Sequence, residues 1–131
     1  MKRPTAPLRF DDTARSLVVL VVDDDVDTRD SLGEVLDVGG FEAAFAANGL
    51  EALNYLDTHA APAVIVSDLN MPVMTGWELV RRLRLTRFQG IPVVVVSSSD
   101  PGCSLAPHLV LRKPVGMDDL LGAMRDATSP A

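Results

Sequence analysis

Five short apolar runs, each bounded by turn-forming residues, most constrain how this chain of 131 residues can fold. The runs lie at 17–22, 41–46, 63–67, 92–96 and 109–111. Continuous runs rich in valine are typical of parallel strands that helices cover on both faces. Segments long enough for a helix separate all the runs except the last two. The pattern therefore predicts a doubly wound α/β fold with a parallel sheet.

Apolar residues between the runs recur near the helical period of 3.6 residues. The predicted helices cover 26–38, 50–56, 77–85 and 117–124. Gly39 and Gly40 are expected to end the first helix, because glycine readily takes the conformation that closes a helix. Asn48 and Gly49 are predicted to form a turn before the second helix. The order is thus strand, helix, strand, repeated along the chain.

Composition limits the class of protein. A hydrophobic content of 47% in 131 residues is enough for one packed core. We assign residues 16–127 to that domain, 1–15 to a flexible tail or linker and 128–131 to a C-terminal tail. The net charge of -6 argues against nucleic acid and anionic membranes as partners. No apolar run could span a bilayer, and the single cysteine fits a reducing compartment, so a cytoplasmic location is expected.

Charged side chains stand where the predicted strands end. Asp23, Asp24 and Asp25 follow the first strand, Asp68 follows the third, and Lys113 follows the fifth. Parallel strands end at one edge of the sheet, called the carboxyl edge below, so these groups are expected to converge there. Crowded carboxylates repel unless a cation lies among them, and hard oxygen ligands suit Mg²⁺ together with phosphate oxygens. The sequence therefore predicts a site for Mg²⁺, or Mn²⁺, and a phosphoryl group.

These residues together resemble the receiver domain of two-component response regulators. The resemblance rests on the acidic residues after the first strand, on the stretch 68–79 with the sequence DLNMPVMTGWEL, on Ser97, and on Lys113 followed by proline. It covers roughly residues 17–126. It implies a flavodoxin-like sheet of five parallel strands in the order 2-1-3-4-5, with helices on both faces.

The resemblance also implies a role for each site residue. Asp68 would accept a phosphoryl group from the phosphohistidine of a histidine kinase or a histidine phosphotransfer protein. Asp24 and Asp68 would bind the metal ion through carboxylates and Asn70 through its backbone carbonyl. Asp23 would orient a metal-bound water.

Ser97 and Lys113 would contact the phosphoryl oxygens once Asp68 is modified, and the resulting loop movement would change the surface that a downstream target binds. Asn70 and Ser99 occupy the two positions that tune the lifetime of the acyl phosphate. Both are small and uncharged, which predicts moderate self-dephosphorylation.

Two departures from the family pattern concern the path from the site to the output surface. Val110 stands where many members have an aromatic switch residue, so that switch is predicted to be absent. The segment between Ser97 and Lys113 is short and contains two prolines, so the helix expected there is predicted to be shortened or missing. We therefore expect a monomer or a weak dimer rather than a dimer formed through that helix.

Other interpretations of the same residues stay open. The acidic triplet could be only a solvated cluster favoured by the dipole of the following helix. The whole domain could be a phosphorylation-independent interaction module, or a Mg²⁺-dependent phosphohydrolase that forms an aspartyl phosphate. The hydrolase interpretation requires a general-acid Asp two residues beyond the nucleophile, and this chain has Asn70 at that position. The chain could be a stand-alone receiver or part of a hybrid histidine kinase.

Overall fold

A computed structural model of the chain describes residues 17–71, 73–97 and 109–128. The strands are β1 Val18–Val22, β2 Glu42–Ala46, β3 Val64–Asp68, β4 Val93–Ser97 and β5 Leu109–Arg112. The helices are α1 Val26–Val38, α2 Gly49–Thr58, α3 Gly76–Arg84 and α4 Met117–Thr128. Strand and helix alternate along the described chain from β1 to β4. The predicted helix-poor segment at 98–108 and the tail predicted at 1–15 lie outside the described residues. Of the C-terminal tail predicted at 128–131, Thr128 is the last residue of α4 and 129–131 lie outside the described residues.

The five strands form one parallel sheet in the order β2-β1-β3-β4-β5. This confirms the predicted doubly wound topology. The strand order reverses between β1 and β3, because β2 lies on one side of β1 and all later strands lie on the other. Crevices at such a reversal point are the usual ligand sites of open α/β sheets.

Each strand contributes alternate residues to two separate apolar clusters. On one face of the sheet, Leu20 and Ile65 pack with Leu56 of α2 and Leu79 of α3. The opposite face has its own cluster, which includes Val21 and Val66 of the sheet with Leu36 of α1 and Leu120 of α4. Helices therefore cover both faces, as the valine-rich runs predicted.

The ends of the first two helices show how local chemistry sets their bounds. The α1 helix ends at Val38, where Gly39 forms the C-cap, as predicted. The predicted turn at Asn48 and Gly49 was wrong: Asn48 is the N-cap of α2 and Gly49 is its first residue. The Asn48 side chain accepts a hydrogen bond from the Glu51 backbone N–H at 2.9 Å, and a carboxylate oxygen of Glu51 accepts one from the Ala47 N–H at 2.9 Å. These two hydrogen bonds stabilise the start of the helix at a dipeptide whose residue types also form turns.

Candidate functional site

The charged residues predicted from the strand ends lie together at the carboxyl edge. Asp23 directly follows β1, Asp68 is the last residue of β3, and Lys113 directly follows β5. The Lys113 Nζ lies 3.2 Å from Asp68 Oδ1 and 3.4 Å from Asp23 Oδ2. One ammonium group thus contacts both buried carboxylates, although the lysine is 90 residues from Asp23 in the chain.

Backbone hydrogen bonds to β4 position two of these residues. The carbonyl of Val96 accepts a hydrogen bond from the N–H of Leu69 at 3.1 Å. The next carbonyl, that of Ser97, accepts one from the N–H of Lys113 at 2.8 Å. Strand β4 therefore holds Leu69, the residue after Asp68, on one side and Lys113 on the other.

The three carboxylates of Asp23, Asp24 and Asp68 form a compact group. One oxygen of each lies within 4.8 Å of the others. Asp23 is 1% exposed and Asp68 is 9% exposed, whereas Asp24 is exposed. Two buried carboxylates and one accessible carboxylate form an oxygen donor set that suits a hard divalent cation such as Mg²⁺ or Mn²⁺. The residues present therefore fit the predicted metal ion.

Burial and charge shift the pKa values of two site residues. Burial is the main reason that the pKa of Asp23 is raised, and the negative charge of Asp68 raises it further, against the lowering effects of the Asp25 N–H and Lys113. Burial alone would lower the pKa of Lys113, but the charges of Asp23 and Asp68 outweigh burial and raise that pKa above its ordinary value. The ammonium form of the lysine is thus favoured at neutral pH.

Asp25 has a specific structural role that the sequence analysis missed. It is the N-cap of α1: its carboxylate accepts hydrogen bonds from the Asp27 N–H at 3.1 Å and from the Thr28 hydroxyl at 2.9 Å. These bonds lower the pKa of Asp25, and the bond from the Thr28 hydroxyl has the largest effect. The backbone N–H of Asp25 donates to Asp23 Oδ1 at 2.9 Å. An acidic residue one position before a helix, with threonine three positions later, was the available signal.

The loop between β3 and α3 is held by apolar packing and by close backbone approach. Met71 and Met74 are buried in the cluster on the α2 and α3 face, where they pack with apolar side chains. The N–H of Gly76 donates to the Leu69 carbonyl at 2.8 Å. A Cβ atom at Gly76 would lie 2.5 Å from the carbonyl oxygen of Asp68. Only glycine lets the chain return this closely to the strand end.

Two serines also lie at this end of the sheet. Ser97 is fully buried and is the last residue of β4. This strand lies between β3, which ends at Asp68, and β5, which Lys113 follows. The Ser67 hydroxyl donates to the backbone carbonyl of Asp68 at 2.9 Å, a contact that the sequence analysis did not predict.

Asn70 is exposed in the loop after β3, and Ser99 lies outside the described residues. The structure therefore describes every predicted site residue except Ser99.

Val110 lies in the middle of β5, opposite Val95 of β4. It is partly buried and packs against the apolar cluster on the α2 and α3 face. A small aliphatic side chain thus occupies the position at which the family pattern often has an aromatic ring.

Comparison with known proteins agrees with this geometry. The family model described as "Response regulator receiver domain" matches residues 19–125. The chain belongs to this family. It is 34% identical to the response regulator Rre1 of Synechocystis over 121 residues, which cover 86% of the chain and 52% of Rre1. The chain thus spans about half the length of the curated relatives that it matches.

Solved receiver structures have the same fold. The chemotaxis response regulator CheY4 of Vibrio cholerae superposes with a TM-score of 0.78 at 32% identity, covering 86% of this chain and 99% of that one. A response regulator receiver protein from Pseudomonas putida gives a TM-score of 0.79 at 29% identity, with coverages of 86% and 98%. The chain is therefore a flavodoxin-like receiver domain of two-component signalling.

Proposed function

We propose that Asp68 is the phosphoacceptor of a two-component phosphorelay. The observation that carries this proposal is the surroundings of the Asp68 carboxylate. It is 9% exposed at the carboxyl edge, lies 3.2 Å from the Lys113 ammonium, and shares its site with the carboxylates of Asp23 and Asp24. These groups would supply the nucleophile, a fixed positive charge and ligands for a divalent cation, as phosphoryl transfer requires.

The proposed reaction moves one phosphoryl group. A carboxylate oxygen of Asp68 attacks the phosphorus of a phosphohistidine, a P–O bond forms, and the P–N bond breaks. The leaving imidazole takes up a proton from solvent. The product is an acyl phosphate on Asp68 and a neutral histidine on the donor. Lys113 already contacts Asp68, so its ammonium group is placed to bind a phosphoryl oxygen after transfer.

Asp24 and Asp68 would bind Mg²⁺ or Mn²⁺ through their carboxylates and Asn70 through its backbone carbonyl, and Asp23 would orient a metal-bound water. A bound divalent ion neutralises the charge that develops on the phosphoryl oxygens. Lys113 cannot do this alone, because one ammonium faces two buried carboxylates before any phosphate arrives. Repulsion among the crowded carboxylates also favours the binding of a cation to the metal-free site.

Ser97 completes the proposed switch. Its hydroxyl would bind a phosphoryl oxygen, and the accompanying movement of the chain after β4 would alter the surface that a downstream protein recognises. The proposed donors are a histidine kinase or a histidine phosphotransfer protein. The proposal places the receiver, residues 16–127, in the cytoplasm as a monomer or weak dimer. Within the described residues, no helix has the length and apolar character needed to cross a membrane.

The test is phosphorylation by acetyl phosphate in the presence of Mg²⁺, followed by intact mass and by Trp77 fluorescence. Trp77 is partly buried near the start of α3 and packs against the cluster that contains Met71 and Met74. We expect the mass to rise by one phosphoryl group, with a change in fluorescence. Asp68→Ala should abolish both changes. Asp57→Ala is the matched control, because Asp57 is an exposed carboxylate that pairs with Arg87.

Three results would contradict the proposal. Phosphorylation that persists in Asp68→Ala would place the acceptor elsewhere. Mg²⁺ binding without any response to acetyl phosphate or beryllofluoride would favour a phosphorylation-independent interaction module. Steady turnover of small phosphoesters would favour a hydrolase.

A half-life of many hours for the phosphorylated domain would contradict the moderate self-dephosphorylation expected from Asn70 and Ser99.

A further inference from the structure

The β1–α1 turn links a helix cap to the most buried carboxylate of the site. The Asp25 side chain caps α1 through the Asp27 N–H and the Thr28 hydroxyl, at 3.1 and 2.9 Å. The backbone N–H of the same residue donates to Asp23 Oδ1 at 2.9 Å. The side chain of Asp25 therefore fixes the Asp25 backbone, and the backbone N–H of Asp25 in turn holds the Asp23 carboxylate.

The two oxygens of Asp23 have different partners. Oδ1 accepts the Asp25 N–H, whereas Oδ2 lies 3.4 Å from the Lys113 ammonium. The Asp23 side chain is only 2% exposed, so water has little access to replace a lost donor. Together the two contacts fix the orientation of the carboxylate. If the Asp25 N–H turned away, Oδ1 would lose its protein donor and the carboxylate could rotate towards Lys113.

The orientation of the Asp25 N–H depends on the cap. Residue 25 is extended, with φ -92° and ψ 113°, and the chain becomes helical at Val26. The first N–H groups of a helix have no partner within it, and a side-chain acceptor at the N-cap holds them in place. Removing that acceptor frees the first turn of α1, and with it the peptide unit whose N–H binds Asp23.

We propose that Asp25 is a positioning residue for the metal and phosphoryl site, acting on Asp23 through its backbone N–H. This inference rests on the proposed function of the site. Asp25 need not touch the metal ion or the phosphoryl group. What the site requires at this position is a capping acceptor, so the charge of Asp25 is secondary. Asparagine, an N-cap of equal quality, should therefore replace it.

The test compares Asp25→Ala, Asp25→Asn and Asn48→Ala in the full chain. Asn48 is the matched control, because it caps α2 through the Glu51 N–H at 2.9 Å and makes no hydrogen bond to Asp23. Asp25→Ala should weaken Mg²⁺ binding, measured by Trp77 fluorescence or calorimetry, roughly tenfold, the lower end of the effect of residues that orient metal ligands. Asp25→Asn should bind Mg²⁺ within about twofold of the parent chain. Asn48→Ala should lower the urea midpoint about as much as Asp25→Ala while keeping the parent affinity.

A second measurement does not depend on the metal ion. Amide hydrogen exchange at residue 25, recorded without Mg²⁺ and corrected for residue type, reports the hydrogen bond to Asp23 directly. It should be slow in the parent chain and in Asp25→Asn, and several times faster in Asp25→Ala.

Two outcomes would overturn the inference. If Asp25→Asn loses as much Mg²⁺ affinity as Asp25→Ala, the charge matters rather than the cap. If Asp25→Ala leaves exchange at residue 25 unchanged, the cap does not control the N–H that binds Asp23. Absence of Mg²⁺ binding by the parent chain would refute the proposed function, and the exchange experiment would still decide whether Asp25 orients Asp23.

Discussion

The two loops that carry the acidic residues of this receiver domain are held in place by different physics. The β1–α1 turn contains Asp23 to Asp25 and is organised by hydrogen bonds to charged oxygens. The β3–α3 loop follows Asp68 and is organised by the buried side chains of Met71 and Met74 and by the close approach of Gly76. Polar bonds orient individual oxygens, whereas packing fixes the path of the backbone.

This difference suggests how each loop should respond to change. The capping side chain of Asp25 is exposed, so the loss of its hydrogen bonds would redirect one backbone N–H without opening the apolar core. A packed loop has no such tolerance, because close-packed interiors relax little around an added atom. We therefore expect the largest stability effects in the β3–α3 loop and the more selective functional effects in the β1–α1 turn.

The largest expected effect is that of Gly76→Ala. The new Cβ would lie 2.5 Å from the Asp68 carbonyl oxygen and 3.0 Å from the Leu69 Cα, and both are backbone atoms that cannot move aside cheaply. We expect a loss of about 3 kcal/mol in the free energy of unfolding, measured by urea denaturation. The control is Gly122→Ala in α4, where a Cβ meets nothing within 4 Å and alanine should be neutral or slightly stabilising. Equal effects of the two substitutions would show that packing does not control the β3–α3 loop.

The second effect tests the polar turn through pH. Burial raises the pKa of Asp23 in the folded chain, so folding favours its protonated form. For a raised pKa, this favourable contribution is complete below the unfolded value of about 3.8 and is lost as pH rises through the folded value. Without Mg²⁺, Asp23→Asn should therefore become progressively more stable relative to the parent chain as pH rises from 4 to 7.

The measurement is urea unfolding of both chains across that pH range in the presence of a chelator. The Asn side chain keeps an oxygen that can accept the Asp25 N–H, so the comparison isolates the charge. Adding Mg²⁺ should reverse the order, because the parent chain binds the ion and Asp23→Asn binds it less well. A stability difference that does not vary with pH would mean that the Asp23 carboxylate carries no desolvation penalty.

The smallest effect concerns Val73, which sharpens the comparison within the β3–α3 loop. Its φ of 71° lies in the left-handed region that β-branched residues avoid, and its side chain is 76% exposed. Asparagine tolerates this conformation, so Val73→Asn should stabilise the fold by about 0.5 kcal/mol. Val38→Asn is the control, since Val38 is 70% exposed at the end of α1 and has no positive φ. A stabilisation that is the same at both positions would come from replacing an exposed apolar side chain rather than from relief of backbone strain.

Much of the fold followed from local pattern. The helical period and the glycines after it predicted α1 over its observed length, and the valine-rich runs predicted a parallel sheet covered on both faces. Local pattern failed at Asn48, whose side chain accepts the Glu51 N–H while the Glu51 carboxylate accepts the Ala47 N–H, so that a helix starts in place of a turn. Turn and cap use the same residue types, and only the neighbouring geometry distinguishes them.

The site was predictable as a set of residues but not as an arrangement. Strand ends place Asp23, Asp68 and Lys113 at one edge, because parallel strands all end at the same edge of the sheet. The sequence could not show that Lys113 contacts both carboxylates, since that depends on the carbonyl of Ser97 holding the Lys113 N–H. Nor could it show that the Asp25 N–H binds Asp23.

The strand order was implied by the family resemblance. The sequence by itself determined the order of elements, a parallel sheet covered on both faces and the residue types that meet at its carboxyl edge. These depend on hydrophobic period and turn chemistry, which act over a few residues. The tertiary structure alone decided which oxygen of Asp23 faces Lys113 and why position 76 must be glycine. Such features arise where segments distant in the chain pack within van der Waals contact. A local sequence pattern cannot predict how closely two such segments approach.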